Sequence, residues 1–247
     1  MDIGSAKIER ISHVVDKKDT RFYKFDEQVG LSVSSACSVI TPYYLQNWYK
    51  KNSANKINKR LEETAGQGTE GHSLIEQQAE GKEVEPKEEL KEWFSEWNKT
   101  QKQYEISAEM SEIMVFSKTF AYGGQIDRVG MFQGKRCIID FKTGSYSHMN
   151  LWKTEAYRQA YIEMTGDEVG AVVLHLPRPD LMERGHKVRH YTIDRHTTCF
   201  LNFLSAYQCM RMLYYKDLLK AGMSSKDVFA PHSFWLYERE HGTGSAA

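Results

Sequence analysis

No apolar run in this chain of 247 residues approaches the roughly 18–20 residues a membrane helix requires. That absence argues against an integral helical membrane protein. The first twenty residues carry Asp2, Glu9, Asp16 and Asp19 among Lys and Arg. They have neither the apolar core of a secretory signal nor the acid-free character of a transit peptide, so a cytoplasmic location is expected. Cysteine is scarce: Cys37, Cys137, Cys199 and Cys209 lie far apart and form no CxxC pair. A zinc or iron–sulfur site needs a tighter cluster, so no iron–sulfur cluster is expected and the thiols are read as reduced and packed in a core. Net charge is also missing, with 33 basic residues against 33 acidic. The count alone does not mark a nucleic-acid binder.

The charges are nevertheless segregated. Tyr43–Leu61 holds Lys50, Lys51, Lys56, Lys59 and Arg60 with no acid, and Pro177–His196 holds Arg178, Arg184, Lys187, Arg189 and Arg195. Between Glu76 and Glu96, eight Glu stand against three Lys. Such a pattern lets one face attract phosphate and another repel it, unless the runs are only solvated helix faces.

Hydrophobic residues make up 40% of the chain and charged residues 27%, an ordinary globular composition. The chain is read as one domain, 1–247. About 1–103 form an N-terminal extended and helical lobe, about 104–220 an α/β core, and 221–247 a tail. In the lobe, Arg21–Phe25 and Leu31–Ile40 read as extended. A helix is expected from Pro42 to about Thr64, broken by Gly66 and Gly68, with a second helix capped by Thr69 and a third over about Pro86–Gln103. Strands are expected at Glu105–Ser117, Phe120–Phe132 and Lys135–Phe141, the last two joined by a turn near Gln133–Gly134. A helix over Met149–Met164, strands Ala171–Leu176 and Lys187–Ile193, and a helix over Arg195–Lys220 complete the expected order. The fold class is α/β: a central mixed β-sheet flanked by helices, with a helical N-terminal lobe.

The tripeptide Asp/Glu-x-Lys occurs five times, and context separates one occurrence. Cys137-Ile138-Ile139-Asp140-Phe141-Lys142 is an apolar strand ending in two charges on one face, with Phe141 on the other. Charges on a mostly buried strand carry a desolvation penalty that a cation or substrate can offset; the plainer alternative is a surface ion pair at a strand end. Thirteen residues earlier, Gly123-Gly124-Gln125-Ile126-Asp127 puts a second carboxylate on the preceding strand. If the two strands form a hairpin, Asp127 and Asp140 approach each other and repel, which a divalent cation would resolve. Such a cation also lowers the pKa of bound water and offsets the charge of a phosphate, and Lys142 would then stand beside that water and the phosphate. Gly123 and Gly124 either admit a phosphate backbone or mark a bulge.

Gly-x-Ile-Asp followed by Ile-Ile-Asp-Phe-Lys-Thr-Gly resembles the PD-(D/E)xK nuclease superfamily, in particular its RecB-like exonuclease branch. The resemblance implies a restriction-endonuclease-like core, with Asp127 and Asp140 as metal ligands, Lys142 assisting catalysis and the Phe141 carbonyl as a further ligand. It extends to Gly68-Thr69-Glu70-Gly71-His72-Ser73-Leu74-Ile75-Glu76, which implies that His72 is also a ligand, and to Leu31-Ser32-Val33-Ser34, similar to the Ser-Val-Thr segment before the helical lobe. Glu112 best matches the upstream acid of the branch, with Glu109 a weaker candidate. In all it covers about Phe22 to Lys220. One departure stands out. Where the branch has Gln-x-x-x-Tyr, this chain has Lys153 and Tyr157, and Gln159 either substitutes for the Gln or faces solvent.

The resemblance implies a DNA nuclease, mostly exonucleolytic, that hydrolyses phosphodiesters with one or two Mg²⁺ or Mn²⁺ ions and metal-activated water. An imidazole ligand favours Mn²⁺. DNA is the expected partner, together with an unidentified recombination or replication protein. Lys50, Lys51, Trp152 and Lys153 are candidate DNA contacts; Trp152 and Tyr157 either stack on unpaired bases or pack the core. A DNA-binding or scaffold protein with a lapsed site is the alternative, and a hydrolase of small phosphoesters a third reading.

Overall fold

The computed structural model describes residues 7–40, 43–144 and 146–230. Among the described residues, eight strands form one mixed sheet. β1 (Ile8–Val15), β2 (Lys18–Phe25) and β3 (Gln28–Ser32) form an antiparallel meander. β4 (Met110–Ser117), β5 (Tyr122–Phe132) and β6 (Lys135–Lys142) form a second antiparallel set. β7 (Gly170–His175) runs parallel to β6, and β8 (Arg189–Thr192) antiparallel to β7. Tight turns fix two of the hairpins. Asp16 and Lys17 between β1 and β2, and Gln133 and Gly134 between β5 and β6, all have positive φ, the two-residue geometry that matches strand twist.

The helices are α1 (Val33–Ala36), α2 (Tyr43–Lys51), α3 (Ala54–Ala79), α4 (Lys91–Gln103), α5 (Met149–Thr165), α6 (Pro179–Met182), α7 (His196–Lys220) and α8 (Ser225–Val228). Among the described residues no helix is long and apolar enough to cross a membrane.

The expected helical N-terminal lobe needs correction. The described chain opens with three strands, and β3 joins the sheet by pairing in parallel with the start of β5, Leu31 against Tyr122 and Ser32 against Gly123. In β1 only the end residues Ile8 and Val15 are buried, so the segment lacks the apolar alternation that marks a strand. Its pairing with β2 supplies what its own sequence does not. Nor does Leu31–Ile40 stay extended: Ser32 caps α1, accepting the Ser35 N–H at 3.0 Å, and a 3₁₀ turn follows.

α3 runs through Gly66 and Gly68, and Thr69 lies inside it instead of capping a new helix. A glycine inside a helix is unfavourable by about 1 kcal/mol relative to alanine, and packing explains two of the glycines near this point. A Cβ at Gly71 would lie 2.8 Å from the Trp93 ring of α4, and one at Gly68 would lie 3.2 Å from Thr143 Oγ1. The glycines let α3 sit close to α4 and to the end of β6. The chain breaks earlier than expected, at Asn52–Ser53, where Ser53 is extended; the proposed helix start at Pro42 lies outside the described residues.

β6 alternates between two cores. Ile138 packs with α5 and α7 residues such as Ala156, Tyr157, Phe203 and Tyr207. Cys137, Ile139 and Phe141 pack against Leu74 and Ile75 of α3 and Trp93 and Trp97 of α4. Three cysteines are buried and all four are free, but Cys209 is exposed, which corrects its expected core position.

Candidate metal centre

β4 covers one edge of β5, pairing from Ser117–Tyr122 to Met110–Val129. The other edge is shared. β6 pairs with it from Phe132–Lys135 as far as Arg128–Ile139, and β3 pairs with it only at Tyr122 and Gly123. Between them, Gly124–Asp127 faces a gap. Past Ile139, β6 follows β7 instead, through Asp140–Val173, Phe141–Leu174 and Lys142–His175. A side chain closes this fork: Asp127 Oδ2 accepts the Phe141 N–H at 2.8 Å, a bond a backbone carbonyl would otherwise take.

The charged groups gather at the fork. Lys142 Nζ lies 2.5 Å from Asp140 Oδ2 and 3.9 Å from Asp127 Oδ2, and donates to the Phe141 carbonyl at 3.0 Å. Asp140 is 3% exposed. Its buried Oδ2 is held by the Lys142 ammonium. Burial pushes the Asp140 carboxyl up despite the pull of Lys142. Burial also works against the Lys142 ammonium, but Asp140 and then Asp127 outweigh it and hold its pKa above the usual lysine range. Lys142 is therefore a firmly protonated bridge between two carboxylates. Phe141, turned to the other face, meets the Trp97 ring edge-on at 5.4 Å. Arg128 is buried beneath, 5.2 Å from the Phe141 ring, with Nη2 on the Ile75 carbonyl at 3.1 Å.

α3 closes the fork from outside. His72 Nδ1 stands 3.8 Å from Asp127 Oδ1. One ligand atom from each of His72, Glu112 and Asp127 falls within 4.8 Å of the others. The cleft they line has a volume of about 510 Å³ and is also bordered by Gly68, Thr69, Ser73 and Glu76. Two carboxylates and an imidazole, brought together on the open side of the fork, fit a hard divalent cation.

Glu112 adds an independent mark. It has φ 53 in the middle of β4. The ladder pairs Ser111–Arg128 and Ile113–Ile126 but skips Glu112–Asp127. A non-glycine residue held there stores about 1–3 kcal/mol, a strain that collects at functional sites. Burial, then Asp127 and Glu76, push the Glu112 carboxyl up to about 7. An acid whose folded pKa is raised stays protonated in the folded protein after the unfolded chain has released its proton. Its contribution is thus full below about 4.5 and is lost as pH rises through about 7. In EDTA, wild-type Tm should fall relative to Glu112→Gln between pH 5 and pH 8. Mn²⁺ affinity of the wild type should rise over the same window, because the cation must displace that proton. Calorimetry across pH checks both; parallel Tm curves for the two proteins would refute the assignment.

The remaining expected residues fall in different places. The Tyr157 ring lies over Gly124, where a Cβ would come within 2.3 Å of Cε1, and its hydroxyl is 3.5 Å from Ser34 Oγ. Lys153 is half-buried on α5, one turn before Tyr157. Gln159 turns to the fully buried Glu155, at 2.8 Å, which also holds His196 Nδ1 at 2.6 Å and Arg158 at 3.1 Å. Glu109 is spent on Arg136 at 2.8 Å. Trp152 is half-buried against two hydrophobic clusters, and Lys50 and Lys51 are exposed at the end of α2. Glu76, four residues after His72 on the same helix face, was not among the expected ligands; that spacing is the signal for it. No protein-family model matches the chain, and no curated protein is found similar to it.

Proposed function

We propose that this chain is a Mg²⁺- or Mn²⁺-dependent deoxyribonuclease of the PD-(D/E)xK kind, an exonuclease similar to the RecB-like branch. One observation carries the reading. Asp127 bonds the Phe141 N–H, groups with His72 and Glu112, and stands 3.9 Å from Lys142, which is itself paired with Asp140.

The residues divide the work. His72, Glu112, Asp127, Asp140 and the Phe141 carbonyl would hold one or two ions. A bound cation supplies a water of lowered pKa and charge to offset that of the phosphate. In the metal-free protein Lys142 occupies both Asp140 and the Phe141 carbonyl, so it acts as the resident countercharge. Once its partners turn to a cation, its ammonium is free to steady the attacking water and the phosphoryl oxygens. Asp127 ties the two sides of the fork together through its bond to Phe141, and Tyr157 fills the space over Gly124.

Three readings separate in one set of measurements. A calorimetric Mn²⁺ titration of the nuclease shows a site that Asp127→Ala abolishes. A DNA-binding protein with a lapsed site shows no such Mn²⁺ site. A hydrolase of small phosphoesters cleaves nitrophenyl phosphates and lacks salt-dependent DNA affinity.

A further inference from the structure

A second concavity, about 540 Å³, lies where α1 meets β1 and β2. Three cations border it, Arg10, Lys18 and Arg21, together with the hydroxyls of Ser34, Ser35 and Ser38; Asp19 is the one carboxylate among its lining residues. The register places Ser12 opposite Arg21 and Arg10 opposite Tyr23, so both arginines project from one face of the hairpin. All three cations are exposed, and none forms an ion pair among the described residues. Among the described residues the hairpin thus holds its two arginines on one face without an ion pair, while Lys18, paired with Val15, borders the concavity from the opposite pleat.

Hydrogen bonds already order the rim. Ser35 Oγ reaches the Arg21 carbonyl at 3.4 Å, tying α1 to β2, and Ser38 Oγ donates to the Ser35 carbonyl at 2.7 Å. Ser34 stays exposed, its Oγ 3.5 Å from the Tyr157 hydroxyl. Tyr157 in turn lies over Gly124 in the gap beside Asp127. The groove and the metal centre therefore adjoin at the Ser34–Tyr157 contact. The cations are spread along an open surface, none of them buried, which suits a polyanion better than a small anion.

We infer that this groove carries the phosphodiester backbone of a nucleic-acid strand, with Arg10, Lys18, Arg21 and Ser34 as its contacts. The inference rests on the nuclease reading for the strand's direction toward Asp127 and Asp140; the binding itself can be tested separately. The probe is a fluorescent 20-nucleotide oligodeoxynucleotide in EDTA, followed by anisotropy from 50 to 300 mM salt. Each phosphate contact on a single strand contributes about 0.7 to the salt slope. The Arg10→Ala/Lys18→Ala/Arg21→Ala protein should therefore lose about 2 from the slope and bind at least about tenfold more weakly at 100 mM salt. Lys99→Ala/Lys102→Ala/Lys135→Ala removes equal charge elsewhere and should change both far less. Matching losses in the two triple variants, an unchanged groove variant, or a wild type that binds no oligonucleotide would overturn the groove. Cleavage of the same oligonucleotide with Mn²⁺, compared between wild type and Asp140→Asn, is read separately. Groove-dependent binding without cleavage refutes the nuclease and keeps the groove; cleavage unaffected by the groove variant does the reverse.

Discussion

Lys142→Ala should lower the single-turnover rate of DNA cleavage by about 100–1,000-fold, the usual effect of removing one charge-stabilising donor. It should also destabilise the metal-free protein by about 3–5 kcal/mol. The two losses share one cause. The ammonium sits between Asp140, Asp127 and the Phe141 carbonyl, and Asp140 is almost wholly buried. Without Lys142 the buried Asp140 carboxylate faces Asp127 with its strongest countercharge gone. Asp140, already pushed up by burial, would rise further, so the variant's stability should fall more steeply than that of the wild type as pH increases. A divalent cation replaces the missing charge. Mn²⁺ should therefore raise the Tm of Lys142→Ala by more than it raises that of the wild type, while cleavage stays lost. Thermal melts at pH 6 and pH 8, with and without Mn²⁺, read the stability half; equal Mn²⁺ shifts in the two proteins would show that Lys142 is not the resident countercharge.

Gly124→Ala and Gly130→Ala should separate stability from chemistry along a single strand. At Gly124 a Cβ would meet Tyr157 Cε1 at 2.3 Å, and at Gly130 it would meet the Ser107 carbonyl oxygen at 1.9 Å. Overpacking of this kind typically destabilises by about 1–3 kcal/mol. The Gly130 clash is with backbone, which cannot rotate away, so its loss should be the larger. Gly130 pairs with Cys137, at the end of the hairpin away from the fork, and cleavage per folded molecule should be unchanged. Gly124 lines the gap beside Asp127, so displacing Tyr157 should slow cleavage at least about tenfold, since small misplacements at a reacting centre are costly. Paired measurements of Tm and single-turnover rate test this. A Gly124→Ala protein that is merely less stable, with wild-type turnover, would remove Tyr157 and the gap from the site.

The centre was partly legible because its strongest signals are local. Asp140 and Lys142 stand two apart on an apolar strand, and the Gln133–Gly134 turn makes Asp127 their hairpin neighbour. Period two and turn chemistry carry that much. The fork was not legible: whether β6 follows β5 or β7 after Ile139 depends on long-range pairing, as does the entry of β3 beside Gly123. Glu112 was found only by likeness, since nothing in its neighbours announces a left-handed residue inside a strand. The N-terminal strands were missed in part because β1 buries only its end residues. Gly66 and Gly68 misled because glycine reads as a helix breaker, whereas here α3 continues through both and packs closely on Trp93 at Gly71 and on Thr143 at Gly68. Arg10 and Arg21 stand far apart in sequence, and only the β1–β2 register puts them on one face.

The most direct test follows end-labelled single- and double-stranded DNA with purified protein in Mn²⁺, in Mg²⁺ and in EDTA, resolving product length over time. The account predicts metal-dependent shortening from the ends, at least as fast in Mn²⁺ as in Mg²⁺, absent in EDTA and absent in Asp127→Ala and Lys142→Ala. DNA that stays intact with either ion, or is cut equally by wild type and both variants, would contradict it.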